Sequence, residues 1–155
     1  MFGFFRKESN EIVSPIKGKC IPIEEVKDQV FASKMMGDGF AIIPSGNRVV
    51  SPIDGEIVLI PASKHAIGLK TKSGIEILVH IGLETVNLKG EGFKVFKSKG
   101  DKVKAGEALI EFDSMFMKEK DIDMTTMVVF TDGYDKEIKL DCYGKEVNAG
   151  EVLIH

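Results

Sequence analysis

The apolar residues of this chain come in short runs, each closed off by glycine, aspartate, serine or lysine. Residues 57–60, 75–81, 108–112, 127–130 and 152–154 are all of this kind. Such runs have the length of β-strands and fall short of the roughly ten residues an amphipathic helix needs. No sustained helical periodicity competes with them. The expected fold class is therefore all-β, with many short strands joined by tight turns in a sandwich or barrel. Its 16 glycines in 155 residues, above the usual ~7%, supply the turns. Only two short helical segments are expected. One covers residues 23–29, behind Pro22. The other covers 114–120, with Asp113 or Ser114 as its N-cap.

Three stretches repeat. Ser14-Pro-Ile-Lys-Gly18 resembles Ser51-Pro-Ile-Asp-Gly55, and Gly37-Asp-Gly-Phe40 resembles Gly90-Glu-Gly-Phe93. Residues 100–110 match residues 144–154 at seven of eleven positions. The offsets differ, which excludes a solenoid of fixed period. A duplication folded into one β domain is the expected origin.

The chain length corresponds to about one domain, read as a loose tail at 1–10 and a single domain at 11–155. With 21 basic and 24 acidic residues the net charge is −3, unlike the basic surface of a nucleic-acid binder. No apolar run approaches the ~20 residues of a transmembrane helix. The two cysteines, Cys20 and Cys142, are far apart in sequence and form no CxxC motif. They point to a reducing, cytoplasmic compartment with both thiols free.

Chemistry concentrates at two of the three histidines. His155 ends the chain, where fraying is the default. His80 interrupts an apolar run in which Ile75, Ile77, Val79 and Ile81 share one face, leaving Leu78 and His80 on the other. His65 opens a second strand-like run, and the short connector Lys72-Ser-Gly74 makes the two runs a hairpin. A two-residue loop at Lys72-Ser73 sets His65 opposite His80. A loop at Ser73-Gly74 makes them diagonal neighbours. A three-residue loop without a bulge separates them onto opposite faces. Two adjacent imidazoles suit a nucleophile with a hydrogen-bonding partner for phosphoryl transfer. They also suit a two-histidine metal site lacking its usual third ligand, or two structural histidines.

The segment Gly74-Ile-Glu-Ile-Leu-Val-His80-Ile-Gly82-Leu-Glu-Thr85-Val86 resembles the active-site signature of glucose-type enzyme IIA of the bacterial phosphoenolpyruvate-dependent sugar phosphotransferase system. Ser63-Lys-His65-Ala66 resembles the family's second-histidine segment. Val49-Val-Ser-Pro-Ile-Asp-Gly-Glu-Ile57, Gly37-Asp-Gly39 and Leu88-Lys-Gly-Glu-Gly-Phe93 also match its wording. The likeness spans residues 12–154. It implies a duplicated hybrid motif, a sandwich-like β-barrel. It further implies that His80 accepts a phosphoryl group on Nε2, that His65 stabilises it, and that Ser63, where the family commonly has Thr, orients His65. The implied donor is the phosphorylated histidine-containing phosphocarrier protein. The implied acceptor is a cysteine of a sugar-specific enzyme IIB domain. No metal or other cofactor is implied. By position, Val30, Phe31, Met35 and Leu78 are expected in an apolar partner-binding face, and Asp28 and Glu84 in an acidic rim. Monomer is the expected state.

Other readings meet specific obstacles. A biotinyl or lipoyl domain needs a target lysine in a Met-Lys-Met or Asp-Lys-Ala context, and neither occurs. A metallopeptidase of related fold needs a His-x-His pair. A regulatory module of the same fold, keeping the histidines without turnover, is the remaining alternative. Met1, Phe2, Phe4 and Phe5 followed by Arg6 and Lys7 could give at most weak peripheral membrane contact.

Overall fold

The computed structural model describes residues 9–155, so the expectation of membrane contact by residues 1–7 lies outside the described part. In chain order the strands are β1 (Ile12–Val13), β2 (Gly18–Pro22), β3 (Asp38–Pro44), β4 (Arg48–Val50), β5 (Gly55–Leu59), β6 (Ala66–Lys70), β7 (Glu76–Ile81), β8 (Phe93–Val95), β9 (Lys102–Val103), β10 (Ala108–Phe112), β11 (Thr126–Asp132), β12 (Glu146–Val147) and β13 (Val152–Ile154). Two short α-helices, α1 (Gln29–Ala32) and α2 (Ser114–Glu119), and two 3₁₀ turns, Ile23–Glu25 and Thr85–Leu88, complete the elements. The five apolar runs and the run from His65 all become strands. The other seven strands are shorter, or carry Gly and Pro at their ends as β2 and β3 do, which weakens their sequence signal.

Eight strands form one antiparallel sheet in the order β12-β2-β3-β11-β7-β6-β5-β9. Strands β4-β10-β8 form a second sheet, and β1-β13 a third. The arrangement is sandwich-like, and no sheet among the described residues closes on itself. The main core holds Cys20, Phe40, Ile42, Ile77, Val79, Ile81, Val128 and Phe130 from the large sheet, with Leu109, Ile110 and Phe112 from β10. A second, smaller core occupies the other face of the same sheet. There Ile21, Ala41, Met127, Val129 and Leu78 are covered by Ile23, Val26 and Phe31. Alternation along β2, β3, β7 and β11 thus feeds two cores at once. His80 lies on the face of the smaller one.

The duplication is visible in the hydrogen bonds. Ser14 and Ser51 are both fully buried. Ser14 Oγ donates to the Ile16 carbonyl (2.8 Å) and Ser51 Oγ to the Ile53 carbonyl (2.7 Å). Gly150 N donates to Ser14 O (2.9 Å) as Gly106 N does to Ser51 O (2.8 Å). The two copies also clasp each other, through Val13 N to Pro52 O (2.8 Å) and Val50 N to Pro15 O (2.7 Å). The match between residues 37–40 and 90–93 has no such equivalence: Phe40 pairs with Pro22 and Val128, whereas Phe93 pairs with Phe112.

The helix expected at 23–29 splits. After the 3₁₀ turn, Val26 is extended, and the Asp28 carboxylate accepts the Val30 N–H (2.9 Å) as the N-cap of α1. An Asp side chain that can cap a following turn competes with a continuous helix through it. Asp113 caps α2 as expected, accepting from Phe116 N (3.1 Å). At the start of the described residues, Ser9 N donates to Asp54 Oδ2 (3.0 Å).

Candidate functional site

His80 sits near the C-terminal end of β7 and His65 just before β6. Their ring centroids are 4.8 Å apart, with the planes crossing at 80°. The expected proximity is present, but neither expected two-residue loop forms. The ladder pairs Ala66 with His80 and Lys70 with Glu76, which leaves the three-residue loop Lys72-Ser73-Gly74. Thr71 N donates to Ile75 O (2.9 Å), Gly74 N donates to Thr71 O (3.1 Å), and Gly74 takes φ 97°. On a regular pleat this register would place His65 on the face away from His80. His65 escapes that rule because it lies outside the strand. Lys64 enters the left-handed region at φ 58° and bends the chain there, while Ile81 N holds the His65 carbonyl (2.7 Å).

Hydrogen bonds assign the ring nitrogens. His80 Nδ1 lies 3.0 Å from the Gly82 carbonyl. A carbonyl only accepts, so Nδ1 carries the proton and Nε2 of the neutral ring keeps its lone pair. Burial pushes the His80 pKa down to about 4, and repulsion from a charged His65 adds to this, against the Gly82 carbonyl and the Asp28 charge. His80 is therefore neutral and nucleophilic at pH 7. Burial also lowers the His65 pKa. Ser63 Oγ is 2.6 Å from His65 Nδ1. When that hydroxyl donates, the neutral His65 ring carries its proton on Nε2.

The turn after β7 is pinned by groups the sequence signature contains but whose roles only the structure assigns. Gly82 has φ 83°, and a Cβ there would lie 2.5 Å from Thr85 Cγ2. Thr85, 1% exposed, donates its hydroxyl to the Ile81 carbonyl (2.6 Å). Gly82 N and Leu83 N bind the carbonyls of Thr125 (3.0 Å) and Asp123 (2.8 Å). The carbonyl that orients His80 is thus fixed from three sides.

The partner-face candidates divide. Val30 and Met35 are exposed, at 43% and 76%, and Val86, 51% exposed, is a further exposed apolar residue on the Thr85–Leu88 turn. Phe31 is buried, its ring 4.8 Å from that of His80, so it forms a wall of the histidine pocket. Leu78 packs on the smaller core. Asp28 and Glu84 line one groove of about 610 Å³, together with Lys27, Lys120, Asp121 and Asp123, so the rim carries both signs. Among the described residues no group of three or more His, Cys, Asp or Glu side chains is placed to hold a metal ion. No helix there is long and apolar enough to cross a membrane.

Comparison with known proteins identifies relatives of the whole chain. A sequence model of the family described as phosphoenolpyruvate-dependent sugar phosphotransferase system, EIIA 1, matches residues 10–136. The chain is 49% identical to the PTS system glucose-specific EIIA component of Halalkalibacterium halodurans, over 99% of this chain and 94% of that one. It is 47% identical to part of the PTS system glucosamine-specific EIICBA component of Bacillus subtilis, over 86% of this chain and 21% of that larger protein. The solved structure of glucose permease IIA from Mycoplasma capricolum superposes with a TM-score of 0.85 at 39% identity, over 99% of this chain and 98% of that one. A family match over most of the chain, joined to a paired-histidine pocket on an all-β duplicated fold, establishes that the chain belongs to the EIIA 1 family of the phosphoenolpyruvate-dependent sugar phosphotransferase system.

Proposed function

We propose that His80 is the phosphoryl acceptor of this phosphotransferase component, that His65 holds the transferred group, and that Ser63 positions His65. The histidine-containing phosphocarrier protein is the donor, and a cysteine of a sugar-specific enzyme IIB domain is the next acceptor. The observation that carries this reading is the Nδ1–Gly82 carbonyl bond of His80, which leaves Nε2 as a lone pair beside a second imidazole. In the first step the Nε2 lone pair of His80 forms an N–P bond as the N–P bond of the donor phosphohistidine breaks. In the second, a cysteine thiolate forms an S–P bond as the His80 N–P bond breaks and its electron pair returns to the ring. The His65 Nε2–H donates to an equatorial phosphoryl oxygen in both.

The enzyme IIB partner is supported by relatives in which the matching segment is part of one EIICBA chain. The names of several relatives suggest glucose as the sugar served. Val30, Met35 and Val86 supply the small apolar patch a transient partner needs, and Asp28 and Glu84 supply charge for a basic one. Partners of this kind support a cytoplasmic location, and a monomer is the state we propose.

The test is phosphoryl transfer with purified phosphoenolpyruvate, enzyme I and phosphocarrier protein, read by intact mass as an acid-labile gain of about 80 Da. Wild type and His65→Ala are expected to label and His80→Ala to stay unlabelled. Onward transfer to enzyme IIB is expected from wild type and to fail in His65→Ala. Labelling of His80→Ala would overturn the assignment. Labelling of wild type without onward transfer would favour the regulatory module.

A further inference from the structure

The fold brings together a second pair of reactive side chains that phosphoryl transfer does not use. Cys20 and Cys142 come from opposite ends of the chain. Cys20 lies in β2 with its side chain wholly inside the main core. Its carbonyl accepts Gly144 N (2.7 Å), and its own N–H donates to the Lys145 carbonyl (2.9 Å). The turn containing Cys142 closes back on itself through Lys145 N to Cys142 O (2.9 Å). These bonds fold the Cys142 turn over β2, where Cys142 packs against the same core that holds the Cys20 side chain. Both are free thiols, Cys20 buried and Cys142 partly exposed.

We propose that Cys20 and Cys142 form a modification site, a dithiol that a low-molecular-weight disulfide converts reversibly into an intramolecular disulfide tying the C-terminal strands to β2. The partly exposed Cys142 reacts first. Its thiolate attacks one sulfur of the small disulfide, forming a mixed disulfide and expelling one small thiolate. The Cys20 thiolate then attacks the Cys142 sulfur, forming the internal S–S bond and expelling the second thiolate. Two protein thiols are oxidised, one small disulfide is reduced to two thiols, and both protons leave with them. Burial raises the Cys20 thiol above its ordinary pKa, which keeps it from the first, intermolecular attack; in the second step the mixed disulfide is already held beside it, so the attack is intramolecular. The bond closes a loop spanning most of the chain, the case in which a cross-link most restricts the unfolded state. Cys20 faces the main core while Ile21, the next residue, faces the smaller core under His80. The tie therefore lies on the far side of the sheet from the histidines, and the site stands independently of the phosphoryl-transfer reading.

The experiment incubates the full chain with oxidised glutathione at mildly alkaline pH, alkylates remaining thiols, and reads intact mass without reductant. Wild type is expected to lose about two daltons, resist alkylation, and revert with dithiothreitol. The oxidised form is expected to melt several degrees above the reduced form. Cys20→Ser is expected to stop at a glutathione adduct on Cys142. Wild type that stops at that adduct, a disulfide-linked dimer, or an oxidised form that melts below the reduced one would overturn the proposal. Each of these is read on wild type alone, whatever the variant's folding.

Discussion

At the scale of single residues, the proposed chemistry rests on which imidazole nitrogen holds a proton. The Gly82 carbonyl decides this for His80, and a Ser63 hydroxyl that donates to Nδ1 does so for His65. Ser63→Ala should slow onward transfer about ten-fold, the value of one oriented hydrogen bond, with Ser63→Thr restoring it; a rapid-quench assay with enzyme IIB reads both. A dianion on His80 should raise the His65 pKa above its lowered free value, as NMR titration of the free and phosphorylated forms will show. The low pKa of His80 also has a stability consequence. Its ring binds a proton in the unfolded chain near pH 6.5 and in the folded one only near about 4. Between those values the unfolded state holds more protons, so stability present above pH 6.5 is lost as pH falls toward 4. The loss is at most about 3 kcal/mol, and urea midpoints across this window should flatten in His80→Ala.

At the scale of elements, α1 and the two ends of the β6–β7 hairpin set the pocket. Helix α1 has one turn, and its Asp28 cap also places a carboxylate near His80. Asp28→Ala should cost about 1 kcal/mol in chemical denaturation and loosen Phe31 over the His80 ring. The hairpin glycines give a sharper contrast. Gly74 and Gly82 both have positive φ, but a Cβ at Gly74 meets nothing within 4 Å while one at Gly82 meets Thr85 at 2.5 Å. Gly74→Ala should therefore cost about 1 kcal/mol, the left-handed penalty alone. Gly82→Ala should cost roughly 3 kcal/mol or more, because a backbone penalty and a clash add, and it should slow phosphorylation by moving the carbonyl that orients His80.

At the scale of the whole molecule, two copies of one motif clasp through reciprocal backbone bonds, and buried Ser14 and Ser51 hold equivalent turns in each. Ser14→Ala should lower stability by about 1–2 kcal/mol through loss of its buried bond to the Ile16 carbonyl, and Ser51→Ala by at least as much, since its hydroxyl also accepts Ile53 N (3.4 Å); a urea midpoint that falls less in Ser51→Ala than in Ser14→Ala would contradict this. Much of this architecture was legible in the chain itself. Short apolar runs closed by turn residues determine strands, because a two-residue period and a turn are local properties. The Ser-Pro-Ile-x-Gly repeats carry the duplication, and the His80 signature carries the family. What only the tertiary structure decided is non-local. The β6–β7 register is the one that pleat alternation alone would take to separate the histidines, and a left-handed Lys64 outside the ladder restores the contact. Phe31 is expected, by its position in the family's pattern, in the partner-binding face, yet it closes over His80 because α1 folds onto the sheet. Cys20 and Cys142 become neighbours only because β2 receives the C-terminal turn. Local sequence sets backbone propensity and face; which faces meet depends on contacts between residues far apart in the chain.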